Sequence, residues 1–128
     1  SVLQVVNATY STQTSTSSTS YSDTGITASI APTSTSSKIL VFANVVGVYG
    51  VSRVLLQLNR GSTGLIEFEK EASYGQYVAT AATSYLDSPA TTSSTTYKVQ
   101  FRTNVSGNAA FISVSGGTST ITLMEIAA

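Results

Sequence analysis

The chain lacks histidine, cysteine and tryptophan altogether, and only 9% of its 128 residues are charged. Without histidine and cysteine, a Ser-His-Asp triad, a Cys-His pair and a His/Cys zinc site are all excluded. Disulfides are excluded too, so the sequence does not indicate whether the protein works in an oxidising or a reducing compartment. No apolar run reaches the roughly 18 residues of a membrane span, and no secretory signal pattern is visible. We therefore predict a protein that is not an enzyme, with no cofactor, metal or membrane partner.

What the chain has in abundance is hydroxyl groups, since about a third of its residues are serine or threonine. Hydrophobic residues still make up 41% and the mean hydropathy is +0.19, which is enough for a core. The length is that of one domain, and we predict a single domain over residues 1–128. Six basic and six acidic residues cancel, so no net charge opposes association. The chain begins at Ser1, and we expect a processed or cut terminus there.

Strand-forming residues dominate, and serine, glycine and asparagine clusters separate them at short intervals. In Thr96–Thr103 apolar and polar side chains alternate, which is typical of an antiparallel sheet with one buried face. We predict strands at Val2–Thr9, Tyr21–Ile30, Lys38–Val48, Arg53–Arg60, Leu65–Glu71, Tyr77–Leu86, Thr96–Thr103, Ala109–Ser115 and Thr120–Ile126. The tract Ser11–Ser20 is compatible with a long loop or with an edge strand. The predicted fold is all-β, an antiparallel β-sandwich of eight or nine strands, most simply a jelly roll.

The segment Lys38–Val48 differs from the other predicted strands because it is apolar almost throughout. Such a strand is typically covered on both faces, whereas a two-layer sandwich covers only one. A neighbouring subunit or covering loops would supply the second cover. We name Leu40 and Phe42 as candidate oligomer-interface or core residues, and predict a homotrimer.

Carboxylates are the remaining candidates for chemistry. Glu67, Glu69 and Glu71 lie two residues apart, so a regular strand would place them on one face. Such a set could hydrolyse a glycosidic bond or bind calcium. A solvated strand face with neighbouring basic residues is the interpretation we favour. Glu67 and Glu69 remain candidates for surface recognition.

Two tyrosines are the best candidates for an exposed aromatic contact. Tyr49 and Tyr74 border glycines in predicted loops, where a tyrosine ring can stack on a sugar or contact a protein partner. Packing within the sheets is the alternative for these and the other tyrosines. The six basic residues are scattered along the chain, so we predict no nucleic-acid partner.

Four segments resemble a domain that recurs in tailed bacteriophages, notably those of aquatic hosts. They are DTGITASIAPTSTSSKILVFANV (Asp23–Val45), LQLNRGSTGLI (Leu56–Ile66), SYLDSPATTSSTTYKVQFRTN (Ser84–Asn104) and ITLMEIAA (Ile121–Ala128). The resemblance covers most of the chain from Val2 onwards, apart from Glu67–Thr83. It implies a virion component with an antiparallel β-sandwich, usually trimeric, and it carries over no catalytic residue.

The resemblance and the composition together predict a non-enzymatic structural protein on the virion surface. A capsid decoration or cement protein, which binds itself and the major capsid protein, is the first hypothesis. The second is a trimeric tail-fibre or spike head that binds a host surface glycan, with recognition near Tyr49, Tyr74 and Glu67–Glu71. Hypotheses of other classes are a carbohydrate-binding module and a glycoside hydrolase.

Overall fold

The structure is a computed structural model that describes residues 1–72 and 77–128. Within these residues the chain forms ten β-strands and one short 3₁₀ segment. The strands are β1 Val2–Tyr10, β2 Thr14–Thr16, β3 Ser22–Ile30, β4 Lys38–Gly50, β5 Val54–Arg60, β6 Thr63–Ala72, β7 Ala79–Asp87, β8 Thr95–Thr103, β9 Ala110–Ile112 and β10 Ser119–Ile126; the 3₁₀ segment is Val114–Gly116.

The strands form two sheets in which every pairing is antiparallel. In the six-stranded sheet, β10 lies between β1 and β4, and β7 pairs with the opposite edge of β4. Strand β9 pairs with the last two residues of β4, which lie past the residues that pair with β10, and β2 pairs with β9 at the edge. The four-stranded sheet has the order β3-β8-β5-β6. The predicted all-β class and antiparallel pairing are confirmed, while the predicted count of eight or nine strands is too low.

Alternation along the strands builds the core between the two sheets. Alternate residues of β4 from Ile39 to Val45 are 0–2% exposed, and they lie among equally buried residues of β5, β8 and β10. These residues include Leu56, Tyr97, Phe101 and Leu123. Each such apolar side chain contributes about 1.5–3 kcal/mol when it leaves water. The core is therefore supplied by period-two patterning, as expected for a sheet with one covered face.

Strand β4 is covered on one face only within a single chain. Leu40 is half-buried and Phe42 is 44% exposed, whereas Val41 between them is fully buried. Because Leu40 and Phe42 are two residues apart, they point to the same outer side of the sheet. Neither belongs to the core, and the expected second cover of this strand is missing from the isolated chain.

Two further segments differ from the prediction. The tract Ser11–Ser20 is mainly loop, although Thr14–Thr16 forms the edge strand β2 against β9. The predicted strand Ala109–Ser115 ends at Ile112, because Ser113 and Ser115 adopt left-handed backbone conformations, with φ of 56° and 61°. A regular strand does not accommodate left-handed residues, so the strand ends before Ser113 and the chain turns into the 3₁₀ segment.

Candidate functional site

The charged side chains are distributed unequally between the two outer faces of the molecule. Most lie on the four-stranded sheet or at its strand ends: Asp23, Arg53, Glu67, Glu69, Lys70, Glu71, Lys98 and Arg102. The buried Asp87 forms an ion pair with the partly buried Arg60, and Glu125 is buried. On the outer side of the six-stranded sheet, Lys38 is the one charged residue among those that the structure describes. One face is therefore ionic and the other almost free of charge.

On the ionic face, polar groups of neighbouring strands bind one another. The Asp23 carboxylate accepts a hydrogen bond from Gln100 Nε2 at 2.9 Å and lies 2.9 Å from Lys98 Nζ. These two donors, Gln100 first, lower the pKa of Asp23. The Gln100 side-chain oxygen in turn accepts from Asn59 Nδ2 at 3.2 Å. The network holds the sheet surface together and already provides Asp23 with donors.

Glu67, a predicted recognition residue, lies at the centre of a second cluster on the same face. The Tyr21 hydroxyl donates to Glu67 Oε2, while Lys70 Nζ lies 3.4 Å and Arg102 Nη2 3.9 Å from its oxygens. The Arg102 guanidinium also stacks 5.3 Å from the centre of the Tyr21 ring. The hydrogen bond from Tyr21 lowers the pKa of Glu67, and burial followed by the neighbouring Glu67 raises that of Tyr21. The Glu67 carboxylate therefore already has donor and cationic partners within the cluster.

The three glutamates of β6 bind three different sets of partners. Glu69 Oε1 accepts the backbone N–H groups of Lys70 and Glu71 at 3.0 and 2.9 Å. Glu71 pairs with Arg53 at 3.4 Å. The register between β5 and β6 shifts twice around Leu56, which interrupts the regular alternation that the sequence suggested. This arrangement fits ion pairing and local capping better than a pair of carboxylates that share one substrate.

The structure places only one of the two predicted aromatic residues. Tyr49 is half-buried at the end of β4, and its ring lies 6.0 Å from that of Phe111, tilted by 44°. The prediction of an exposed loop tyrosine is therefore wrong for Tyr49, because β4 continues as far as Gly50. Tyr74 lies outside the described residues.

A shallow pocket of about 200 Å³ lies where β3 bulges away from β8. It is lined by Asp23, Gly25, Ile26, Thr27, Thr96 and Lys98. Its two charged groups pair with each other. In the part of the chain that the structure describes, no group of three or more acidic residues is arranged to hold a metal ion.

Among the residues that the structure describes, exposed large apolar side chains occur in two places. Val2, Leu3, Val5, Phe42 and Leu86 lie on the outer side of the six-stranded sheet, each 44–55% exposed. Val51, Tyr77, Val78 and Val105 lie in the segments that connect strands at one end of the sandwich. Sequence reasoning missed Val5 and Leu86, because only the strand register reveals that they lie in one row with Leu40.

Comparison with models of known protein families gives no match, and comparison with curated proteins gives none either. Among residues 1–72 and 77–128, no helix is long and apolar enough to cross a membrane. The resemblance to bacteriophage virion domains is therefore carried by the sequence segments alone and stays a prediction.

Proposed function

We propose that this protein is a non-enzymatic structural component on the surface of a bacteriophage virion, in the first place a capsid decoration or cement protein. The observation that carries the proposal is the contrast between its two outer faces, one ionic and self-satisfied, the other apolar and nearly uncharged. A protein that acts by contact needs such a surface and needs no reactive side chain. Its binding would stabilise the assembled capsid by mass action.

The proposal includes a jelly-roll fold. The main strands of one sheet follow the order β1-β10-β4-β7, and those of the other the order β3-β8-β5-β6. Apart from β5 and β6, which are joined as a hairpin, consecutive main strands lie in opposite sheets. This order supports an eight-stranded jelly roll extended by β2 and β9. Jelly rolls are common among viral capsid proteins and lectins.

The proposal also includes a homotrimer that binds the major capsid protein. Support comes from the outer side of β4, where Phe42 is exposed and Leu40 is only half-buried within the chain. A net charge of zero removes long-range repulsion between copies. Subunit packing around a symmetry axis would supply the missing cover.

A second candidate function is the head of a trimeric tail fibre or spike that binds the host surface. The observation in its favour is the apolar loop end that contains Val51 and Val105. Two of its loops are tied together, since Val51 N–H donates to the Ala109 carbonyl and Asn104 N–H to the Arg53 carbonyl. A fixed set of loops at one end of a sandwich suits recognition of a receptor or glycan.

The test is to locate the protein on purified phage particles with a gold-labelled antibody raised against it, using antibody depleted with the pure protein as control. Label on the head supports the decoration protein, and label at the tail tip supports the fibre head. The absence of label from particles that carry the gene would contradict both. Glycan-array binding in that case would favour the carbohydrate-binding module instead.

A further inference from the structure

The strand register aligns apolar side chains in one row across the outer side of the six-stranded sheet. Val5 pairs with Met124, Met124 with Leu40, and Leu40 with Leu86. Directly paired residues of adjacent strands have neighbouring side chains about 5 Å apart. Four strands therefore contribute one residue each to a continuous line of apolar side chains. We call this line the apolar row, and it consists of Val5, Met124, Leu40 and Leu86.

The rows of paired residues on either side widen this apolar surface, and they also contain side chains with hydroxyl and amide groups. On one side lie Val2, Ile126 and Lys38, paired in register, with Leu3 beside them. On the other side the row is Asn7, Thr122, Phe42 and Ser84. Within it, Asn7 Nδ2 donates to Thr122 Oγ1 at 2.7 Å. The surface has an apolar centre and a polar rim, which is the usual anatomy of a protein interface.

The exposed area is large enough for a stable contact. Val2, Leu3, Val5, Phe42 and Leu86 each leave about half of their surface open, which amounts to roughly 400 Å² of apolar area in total. Three such surfaces that meet around a symmetry axis would remove roughly 1,200 Å² of apolar area. Because apolar atoms supply about 60% of an interface, the total over the trimer would reach roughly 2,000 Å², which is comparable to the area of specific complexes.

Charge indicates which partner fits. Lys38 is the one charged side chain on this surface among the described residues, and it lies at the rim. A strongly charged partner would find almost nothing to pair with here and would lose hydration on contact. Another copy of the same chain brings an equally uncharged surface, and the net charge of zero adds no repulsion.

We propose that copies of this chain associate through the outer side of the β1-β10-β4-β7 sheet, with Phe42 and the apolar row buried between them. This inference deepens the proposed function, since it names the surface that assembles the oligomer. The loop end with Val51 and Val105 remains open for a different partner.

The test compares aspartate variants on the two exposed apolar surfaces. Phe42→Asp and Leu86→Asp place a carboxylate on the proposed interface, whereas Val51→Asp is the matched control at the loop end. We expect the wild type and Val51→Asp to be trimers in light scattering coupled to gel filtration. Phe42→Asp and Leu86→Asp are expected to show the 13.2 kDa mass of one chain. An unchanged circular dichroism spectrum would show that these outward-facing substitutions leave the fold intact.

Each outcome separates this inference from the proposed function. A monomeric wild type, or an oligomer that survives both interface substitutions, would overturn the inference. Dissociation by Val51→Asp alone would overturn it too, since the loop end would then be the interface. A wild-type dimer that Phe42→Asp dissociates would support the interface and contradict the trimer. Particles without label would contradict the virion role and leave the interface standing.

Discussion

At the scale of single residues, Gly25 in the bulge of β3 is a position where an added side chain has no room. Its φ is +103°, and an added Cβ would lie 2.5 Å from two ring carbons of Tyr10. Tyr10 comes from the other sheet and is held by a 2.6 Å hydrogen bond between its hydroxyl and Thr14 Oγ1. The bulge and the tyrosine therefore fit together only because the side chain of Gly25 is absent.

We expect Gly25→Ala to lower the free energy of unfolding by about 2–3 kcal/mol, from backbone strain together with displacement of Tyr10. Gly107→Ala is the control, since φ is +88° there but nothing lies within 4 Å of the added Cβ. It should lose only about 1 kcal/mol, the backbone part alone. Urea unfolding measures both losses. Equal losses would show that the Tyr10 contact does not matter.

Glu125 is the second residue with a specific prediction, because its carboxylate is fully buried on β10. Gln4 Nε2 donates to Oε1 at 2.8 Å, while Thr33 N–H and Oγ1 donate to Oε2 at 2.8 and 2.9 Å. Ser37 Oγ is buried without a hydrogen bond of good geometry, but its hydroxyl still favours the charged carboxylate. Burial alone would raise the pKa of Glu125; the donors outweigh it and lower the pKa to about 2.

A lowered pKa means that the unfolded chain takes up the proton more readily than the folded one. The stabilisation from Glu125 is therefore complete above its ordinary pKa of 4.5 and is lost as the pH falls towards 2. We expect Glu125→Gln to flatten the rise of the unfolding free energy with pH between these limits, and Thr33→Val to flatten it in part. Asp23 and Glu67, whose pKa values are also lowered, contribute to the same slope. The test is thus the difference between wild type and variant, and parallel curves would contradict it.

At the scale of secondary-structure elements, an ion pair between the partly buried Arg60 and the buried Asp87 joins the two sheets. Arg60 Nη1 on β5 donates to both carboxylate oxygens of Asp87 on β7, at 2.8 and 2.7 Å. The Tyr97 hydroxyl on β8 donates to the same carboxylate at 2.6 Å. Burial, and then this carboxylate, raise the pKa of Tyr97. Three strands from two sheets therefore converge on Asp87, which is 5% exposed.

We expect Asp87→Asn to lower the free energy of unfolding by about 2–3 kcal/mol, because it leaves the partly buried Arg60 without its counter-charge. Glu71→Gln breaks the exposed pair with Arg53, whose side chains are 44% and 72% exposed, and should lose less than about 1 kcal/mol. Thermal and urea unfolding of the two variants give the comparison. A loss at Asp87 as small as that at Glu71 would mean that the pair does not hold the sheets together.

The strands also show which parts of the structure the residue pattern of the sequence can predict. Eight strands were predicted within two residues of their observed ends, because alternation such as that of Tyr97, Val99 and Phe101 encodes both the strand and its buried face. The tract Ser11–Ser20 stayed open between a loop and an edge strand, since the strand Thr14–Thr16 within it has no apolar residue and pairs only with β9. The end of β9 at Ile112 depends on left-handed serines, which composition does not mark.

The candidate surface was predictable only in part, for a related reason. The apolar character of Leu40 and Phe42 is visible in the sequence, but it suggested a strand covered on both sides. Their alignment with Val5 and Leu86 depends on the pairing of strands far apart in the chain. Pairing register is a long-range property, so a single sequence read locally does not contain it.

At the scale of the whole molecule, the outer sides of the two sheets differ in polarity. The four-stranded sheet carries ion pairs and the Gln100 amide on its outer side, where Gln100 accepts a hydrogen bond from the buried Asn59. The six-stranded sheet turns apolar side chains outwards, and a second set of exposed apolar residues, which includes Val51, lies in the loops at one end of the sandwich. Under the proposed function, the apolar face would contact other copies of the chain and the loop end a different partner, so the protein would join an assembly at two points.

If association buries the apolar row, the stability of the fold depends on protein concentration, because the oligomer binds only folded chains. For a trimer of this size we expect the Tm to rise by about 3 °C for each tenfold increase in concentration. Phe42→Asp should have a Tm that does not change with concentration, and at low concentration it should match the wild type. Differential scanning calorimetry over two decades of concentration makes the comparison. A wild-type Tm independent of concentration would mean that the folded chain keeps its apolar face exposed, and the face would then need another explanation than self-association.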